Sequence, residues 1–245
     1  MIEPDLDGCT VLITGSATGL GRALTLACAE CGADVAVHYN TSEASAREVA
    51  NEAREHGVET TVVQGDVTDP DSVDRLFSNT EAELGAVDIL VNNVGAFAPD
   101  HWEEMDFETW RRVLETNING TYLCSKRALP EMRKSDWGRI VNIGYASSER
   151  GLINPKNAPY FMAKSGVLMF TRMLAADTQS DSITANAVSP YVIENSDEFP
   201  EELPRDRPAS FEDVTHAVFT FLEEGSDYLS GANIEVSGGW LPEDV

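Results

Sequence analysis

A chain of 245 residues with 42% hydrophobic content is long enough to bury one sizeable core, and its 42 acidic against 17 basic residues give a formal net charge of −25. That charge, without any basic stripe, disfavours nucleic acid and anionic membranes as partners. Four cysteines (Cys9, Cys28, Cys31 and Cys124) are too few for a disulfide scaffold, and no run reaches the roughly 18 apolar residues of a membrane span. The expectation is one domain over residues 1–245, cytoplasmic, with reduced thiols. The acids are spread along the whole chain and lysine is scarce (Lys126, Lys134, Lys156 and Lys164). Such a shell repels itself at a Debye length of about 8 Å and much less at the molar-salt value of about 3 Å. It resembles the surface of a protein from a salt-in halophile; an ordinary acidic cytosolic enzyme is the alternative.

Short β-rich runs at residues 9–13, 34–39, 60–64, 87–91, 139–143, 183–188 and 233–236 alternate with helical patterns, among them 107–132 and 159–176, without linker or repeat. The alternation predicts an α/β fold, a doubly wound parallel sheet of about seven strands with helices on both faces and a ligand crevice at the strand C-termini. The first strand runs directly into Thr14-Gly15-Ser16-Ala17-Thr18-Gly19-Leu20-Gly21, which opens a helix. In that context Gly15 permits the tight turn, Gly19 lets the backbone approach a pyrophosphate and Gly21 lets the helix pack on the strand. Gly15, Ser16, Thr18, Gly19, Leu20 and Gly21 are therefore the candidate phosphate cradle, helped by the positive end of the helix dipole. Cys28-x-x-Cys31 lies inside that helix and reads as packing rather than as a metal or redox pair.

The second strand ends in His38-Tyr39-Asn40-Thr41-Ser42. An NAD-preferring site would place an acidic residue there to bond the ribose 2′-hydroxyl. Tyr39 stands in its place, and Asn40, Thr41, Ser42 and Thr18 offer neutral donors to a 2′-phosphate, so NADP(H) is favoured and NAD(H) stays open. Later in the chain Tyr160 and Lys164 stand four residues apart on one face of a predicted helix. A tyrosine, with an ordinary pKa of about 10, needs that value lowered to exchange protons near neutral pH. A lysine charge about 4 Å away is worth roughly 4 kcal/mol at an effective dielectric of about 20, before desolvation reduces it. Together with the glycine turn, the pair describes a nicotinamide-dependent carbonyl/alcohol oxidoreductase.

Over nearly its full length the chain resembles the short-chain dehydrogenase/reductase family, through Thr14 to Gly21, Asp66-Val67, Asn92-Asn93-Val94-Gly95, Asn117-Ile118-Asn119-Gly120, Tyr160 to Lys164, Asn186 to Pro190 and Ser230-Gly231 to Gly238-Gly239-Trp240. The resemblance implies a single-domain Rossmann-like fold. It makes Asp66 and Val67 adenine contacts, adds Asn93, Gly95, Pro190 and Val192 to the cofactor site, gives Lys164 the nicotinamide ribose, and has Asn117 fix a water through which protons are relayed. It also implies a homodimer or homotetramer, paired through the long helices that begin near Phe107 and Pro159, and a substrate lid over approximately 190–210.

The family usually carries a serine directly after Ile-x at the end of the fifth strand, to bind the substrate oxygen. Counting forward along Gly138-Arg139-Ile140-Val141-Asn142-Ile143-Gly144 reaches Tyr145, whereas counting back the usual interval from Tyr160 reaches Ser147. A two-residue insertion is implied. Ser147 is the favoured candidate and Ser148 a weaker one; otherwise Tyr145 takes over the role, or the third hydrogen bond is missing. Tyr191 replaces a usual glycine, the lid is short, and its acids Glu194, Asp197, Glu198, Glu201 and Glu202 suit an anionic acyl carrier poorly. Phe97 aligns with an aromatic residue that stacks the pterin in pteridine reductases, while core packing is its simpler role. The leading expectation is an NADP(H)-dependent reductase of a small carbonyl, such as a 3-oxoacyl-type compound, with Phe97, Tyr145 and Tyr191 beside the substrate and no metal. A pteridine reductase is the narrower alternative. A non-catalytic dinucleotide-binding protein and a cofactor-free relative performing dehalogenation or elimination are the alternatives from other classes.

Overall fold

Residues Thr10–Ile13 are buried along their whole length, as expected of a central strand covered on both faces. The computed structural model describes residues 3–150, 154–196 and 199–241. Within them the chain runs β1 (Thr10–Ile13), α1 (Gly19–Glu30), β2 (Asp34–Tyr39), α2 (Glu43–Arg54), β3 (Thr60–Gln64), α3 (Pro70–Leu84), β4 (Ile89–Asn92), α4 (Phe107–Leu114), α5 (Gly120–Ser135), β5 (Gly138–Ile143), α6 (Ala158–Asp177), β6 (Ile183–Pro190), α7 (Phe211–Thr220) and β7 (Asn233–Val236). The strands form one sheet in the order β3-β2-β1-β4-β5-β6-β7, all neighbours parallel. The order reverses between β1 and β4, so the crevice for a ligand opens above their C-terminal ends.

Side-chain alternation divides the core into two layers. Val11 and Ile13 of β1, Val35 and Val37 of β2, and Val141 and Ile143 of β5 pack with α1, α2 and α7. Leu12, Ala36, Leu90 and Ile140 point to the other face and pack with Phe77 of α3, Cys124 and Leu129 of α5 and Leu174 of α6. Helix starts follow local chemistry: Asp69 caps α3 before Pro70, Asp106 accepts from the Thr109 N–H at 2.7 Å, and Ser210 with Asp213 forms a capping box on α7. Cys9, Cys28, Cys31 and Cys124 are free thiols, with Cys28 and Cys124 in the core. Among the described residues no helix is long and apolar enough to cross a membrane.

Beyond shifts of one to three residues at other ends, two departures from the sequence pattern bear on the site. The helix expected over 107–132 is interrupted by a π-helical turn at Glu115–Asn119. Inside it the Asn117 Nδ2 donates to Val113 O at 2.9 Å and to Ala96 O at 2.8 Å, a side-chain competitor for carbonyls that periodicity does not register. Strand β6 continues to Pro190, beyond the expected end at 188, because β7 pairs Ser189 with Glu235 and Pro190 with Val236.

Candidate active site

The glycine turn supplies a wall with no side chains. Gly15 and Gly19 adopt φ +70° and +55°, values that a side chain makes costly. A Cβ on Gly21 would lie 2.2 Å from Gly15 O, and one on Gly19 would lie 2.6 Å from Nδ2 of Asn195. The turn is tied to β2: Ser16 N–H donates to His38 O at 3.0 Å, and His38 N–H to Ser16 Oγ at 2.7 Å. Helix α1 begins at this wall with no acidic residue in its first turn, a feature shared by α5 and α6, whereas α2, α3, α4 and α7 each carry one or two there. In so acidic a chain this leaves the positive end of α1 free for phosphates, and the residues present fit a dinucleotide.

The cleft above the switch point has a volume of about 760 Å³ and runs from this turn to the start of α6. Of the expected cofactor and substrate residues it brings together Gly15, Thr18, Gly19, Leu20, Gly21, Asn93, Gly95, Phe97, Tyr145, Tyr160, Lys164, Pro190, Tyr191 and Val192. Asn93 braces the wall, its Nδ2 donating to Thr14 O at 2.9 Å. Ser16, Tyr39, Asn40, Asp66 and Val67 do not line the cleft. The Asp66 carboxylate instead accepts from Thr68 N–H and Oγ1 at 2.9 and 2.7 Å, and Val67 packs against Gly120.

Tyr160 and Lys164 lie one turn apart on α6, with the Lys164 Nζ 5.5 Å from the Tyr160 ring centroid. Nζ donates to Ile143 O at 2.7 Å, which fixes the side chain under the cleft. A Cβ on Gly95 would stand 2.7 Å from Asn117 Oδ1 and 3.5 Å from Lys164 Nζ, so the carboxamide and the ammonium converge on one stretch of bare backbone. Both Nδ2 bonds of Asn117 are made to carbonyls, while its Oδ1 is buried without a partner. A buried carbonyl oxygen left without a partner can accept a hydrogen bond from a water. Burial raises the Tyr160 phenol above its ordinary pKa and lowers Lys164 to about 8. The expectation that Lys164 draws Tyr160 down toward working pH is therefore not met in this geometry. Burial is the cause, and a phenol raised above its ordinary value is protonated at neutral pH.

The insertion after β5 does not present a serine to the cleft. Gly144 N–H donates to Val188 O at 2.8 Å and Ala146 N–H to Pro190 O at 3.0 Å, so sheet pairing continues beyond Ile143 and carries Tyr145 into the cleft. Its ring stands 5.7 Å from that of Tyr160, 5.4 Å from Phe161 and 6.1 Å from Tyr191. Ser147 turns away at φ +63°, held by a 2.8 Å bond from its N–H to Glu235 Oε1 of β7. The hydroxyls of Ser147 and Ser148 are buried outside the cleft lining, without partners. Tyr145 lines the cleft beside Tyr160, and Ser147 and Ser148 do not.

Phe97 meets Tyr160 edge-on at 5.3 Å and is 40% exposed, so it is a cleft wall rather than core packing. Its segment is tied to the start of α6 through Trp102 N–H to Pro155 O and Asn157 N–H to Asp100 O, at 3.0 and 2.9 Å. Thr41 and Ser42 border a separate open hollow with Ser45 and Arg47 at the start of α2. Arg47, five residues beyond Ser42 in α2, is the cation bordering this hollow, and Glu43 holds it at 2.7 Å. Asn195, which lies against Gly19, and the rim residues Asn154, Lys156 and Asn157 were also missed, because neither a motif nor periodicity marks them. The Glu194 carboxylate caps α7, accepting from Phe211 N–H at 2.7 Å; Asp197 and Glu198 lie outside the described residues. Among the described residues the charged groups lining the cleft are Lys156 and Lys164.

Residues 9–204 match the sequence profile of the short chain dehydrogenase family. The chain is 32% identical over 240 residues to the 3-oxoacyl-[acyl-carrier-protein] reductase FabG of Staphylococcus aureus, covering 94% of this chain and 97% of that protein. Its fold superimposes on a candidate short-chain alcohol dehydrogenase from Sinorhizobium meliloti with a TM-score of 0.89, at 28% identity and over 96% of this chain and 97% of the other. It superimposes on the acetoin dehydrogenase YohF of Salmonella typhimurium with a TM-score of 0.87, at 27% identity and over 97% and 98% of the two chains.

Proposed function

The chain belongs to the short-chain dehydrogenase family, an NAD(P)-dependent oxidoreductase family, and from that premise we propose that it is an NADP(H)-preferring reductase of a small carbonyl compound. The observation that carries the reading is that Tyr160 and Lys164 line the cleft walled by the glycine turn, with the unpartnered Asn117 Oδ1 buried directly behind Gly95 of the same wall. The nicotinamide cofactor, when bound, supplies the hydride. Tyr160 donates its phenolic proton to the carbonyl oxygen, and the Tyr145 hydroxyl gives that oxygen a second hydrogen bond. Lys164 holds the ribose and, through its charge, stabilises the phenolate left on Tyr160. Asn117 Oδ1 accepts from the water that returns the proton. Thr41, Ser42, Ser45 and Arg47 receive the 2′-phosphate, and residues 190–210 act as the lid of a single domain. The substrate class follows the relatives toward 3-oxoacyl-type compounds. The exposed edge of Phe97 beside Tyr160 supports pterin reduction as the second reading.

The pH profile tests the roles. Tyr160 stays protonated at neutral pH, so the alkaline limb belongs to Lys164 with its pKa of about 8. The kcat/KM for NADPH-dependent reduction is expected to be level below that value and to fall about tenfold per pH unit above it, as the ammonium is lost. The sign for stability is opposite: the cost of burying the charge is full below pH 8 and vanishes as the pH rises toward the ordinary value of 10.5. A profile flat to pH 10 would remove Lys164 from the mechanism.

The acid shell is read as an adaptation to molar salt, and the exposed Met162, Met169 and Met173 of α6 with Tyr122 of α5 as the pairing face of a homodimer or homotetramer. The free thiols suit a reducing cytoplasm. Melting and light scattering across a KCl series are expected to show a thermal midpoint that rises steeply toward molar KCl and a mass of two or four chains. A salt-independent midpoint refutes the halophilic reading, and a monomer refutes the pairing.

A further inference from the structure

His38 is 1% exposed near the end of β2, in a position that touches neither the cleft nor the substrate end. Its ring nevertheless joins two loops that flank the cofactor site. Nδ1 accepts from the Gly15 N–H at 2.8 Å, and Nε2 stands 3.0 Å from Gly65 O. A carbonyl only accepts, so Nε2 carries the proton and Nδ1 keeps its lone pair for Gly15. Only the neutral Nε2–H tautomer satisfies both contacts; a proton on Nδ1 would face the Gly15 N–H directly.

We propose that His38 is a positioning residue for dinucleotide binding: its neutral imidazole locks the peptide of Gly15 and thereby sets the place and direction of the first turn of α1. The proposal rests on the reading of the cleft as a dinucleotide site. The mechanical link is short. Gly15 O already stands where a Gly21 Cβ would come within 2.2 Å, so the floor of the turn and the first turn of α1 are in contact, and one cannot move without the other. Ser16 adds bonds to the backbone of the same histidine, which makes residue 38 the single anchor of the turn on β2. The groups packed against the ring are the Gly15 peptide on one side and the end of β3 on the other, where Asp66 is the one charge acting on it. Asp66 favours protonation, but burial prevails and lowers the imidazole to about 4. The anchor therefore holds through neutral pH. Its contribution is complete above the ordinary value of 6.5 and is lost as the pH falls toward 4.

The test is NADPH binding by calorimetry in molar KCl on the full chain, comparing the unaltered protein with His38→Leu, His38→Asn and His38→Gln, together with ¹⁵N imidazole shifts between pH 5 and 8. Asparagine places Oδ1 near the position of Nδ1 and can accept from Gly15; glutamine reaches Gly65 but leaves Gly15 without an acceptor. Leucine is expected to raise the Kd at least about tenfold, glutamine to weaken binding similarly, and asparagine to stay within about threefold of the unaltered protein. The shifts are expected to show one neutral Nε2–H tautomer. A role in folding alone would lower the melting temperature of the leucine variant and leave its Kd unchanged, and that result overturns the proposal. If the leucine variant does not fold, equal affinities for the asparagine and glutamine variants overturn it, as does an Nδ1–H or doubly protonated ring at pH 7. Absence of NADPH binding by the unaltered protein would defeat the functional reading, and this inference with it. Tight binding that is indifferent to residue 38 defeats this inference alone.

Discussion

Tyr160→Phe is expected to lower carbonyl turnover at least about 10²-fold while leaving the Kd for NADPH nearly unchanged. The substitution removes one oxygen and keeps the ring. That ring is held edge-on by Phe97 at 5.3 Å, Tyr145 at 5.7 Å and Phe161 at 5.8 Å, so its packing survives and the loss is confined to the proton. Because the proton is needed only as charge develops on the carbonyl oxygen, kcat and kcat/KM fall together and substrate affinity changes little. Single-turnover NADPH oxidation beside calorimetry reads both quantities. Turnover equal to that of the unaltered enzyme would remove Tyr160 from the mechanism and leave the Tyr145 phenol as the acid.

The second large effect is at the cradle. Gly21→Ala would set a Cβ 2.2 Å from Gly15 O and 2.8 Å from Asn93 Nδ2. The first neighbour is backbone and cannot swing aside, so the start of α1 must move away from β1. Such overpacking costs typically about 1–3 kcal/mol. At roughly 2–4 °C per kcal/mol for a chain of this size, the melting temperature should fall by about 2–12 °C. The displaced N–H groups also leave the phosphates, so NADPH binding is expected to weaken at least about tenfold, more than stability alone dictates. A Gly21→Ala protein that binds NADPH as tightly as the unaltered chain would mean that the turn is not the phosphate site.

The parts of this fold that depend on local pattern were legible in the sequence. A β-rich run such as Thr10–Ile13 is buried on both faces of a parallel sheet, and the glycine turn is recognisable because it must follow a strand and open a helix. The pairing of Tyr160 with Lys164 follows from helical spacing. What was not legible depends on contacts distant in sequence. The choice between Tyr145 and Ser147 rests on how far β5 remains paired with β6 and on a carboxylate 88 residues away, Glu235, that turns Ser147 aside. Counting from either end of the insertion could not decide it. The π-helical turn at Asn117 arises from a side chain reaching Ala96 O, 21 residues back. The state of Tyr160 was misjudged for the same reason: spacing announces the lysine charge, whereas the burial that opposes it is a property of the assembled cleft. His38 read only through its likeness, with Tyr39, to pteridine reductases; its hold on the glycine turn was hidden because its partner Gly15 lies 23 positions earlier. Glu194 read as one of several acids on the lid, and the fold uses it to cap α7.

The central claim is that the cleft holds a nicotinamide dinucleotide with a preference for the 2′-phosphorylated form. Titration of the unaltered protein in molar KCl with NADPH and, separately, NADH tests it most directly, following the fluorescence of Trp240, which stacks on Tyr191 at 3.8 Å beside the cleft. Saturable quenching by NADPH, with NADH at least about tenfold weaker, is the predicted result, the difference being the 2′-phosphate met by Thr41, Ser42 and Arg47. Equal affinities would contradict the role given to those residues, and binding of neither nucleotide would contradict the assignment of the cleft itself.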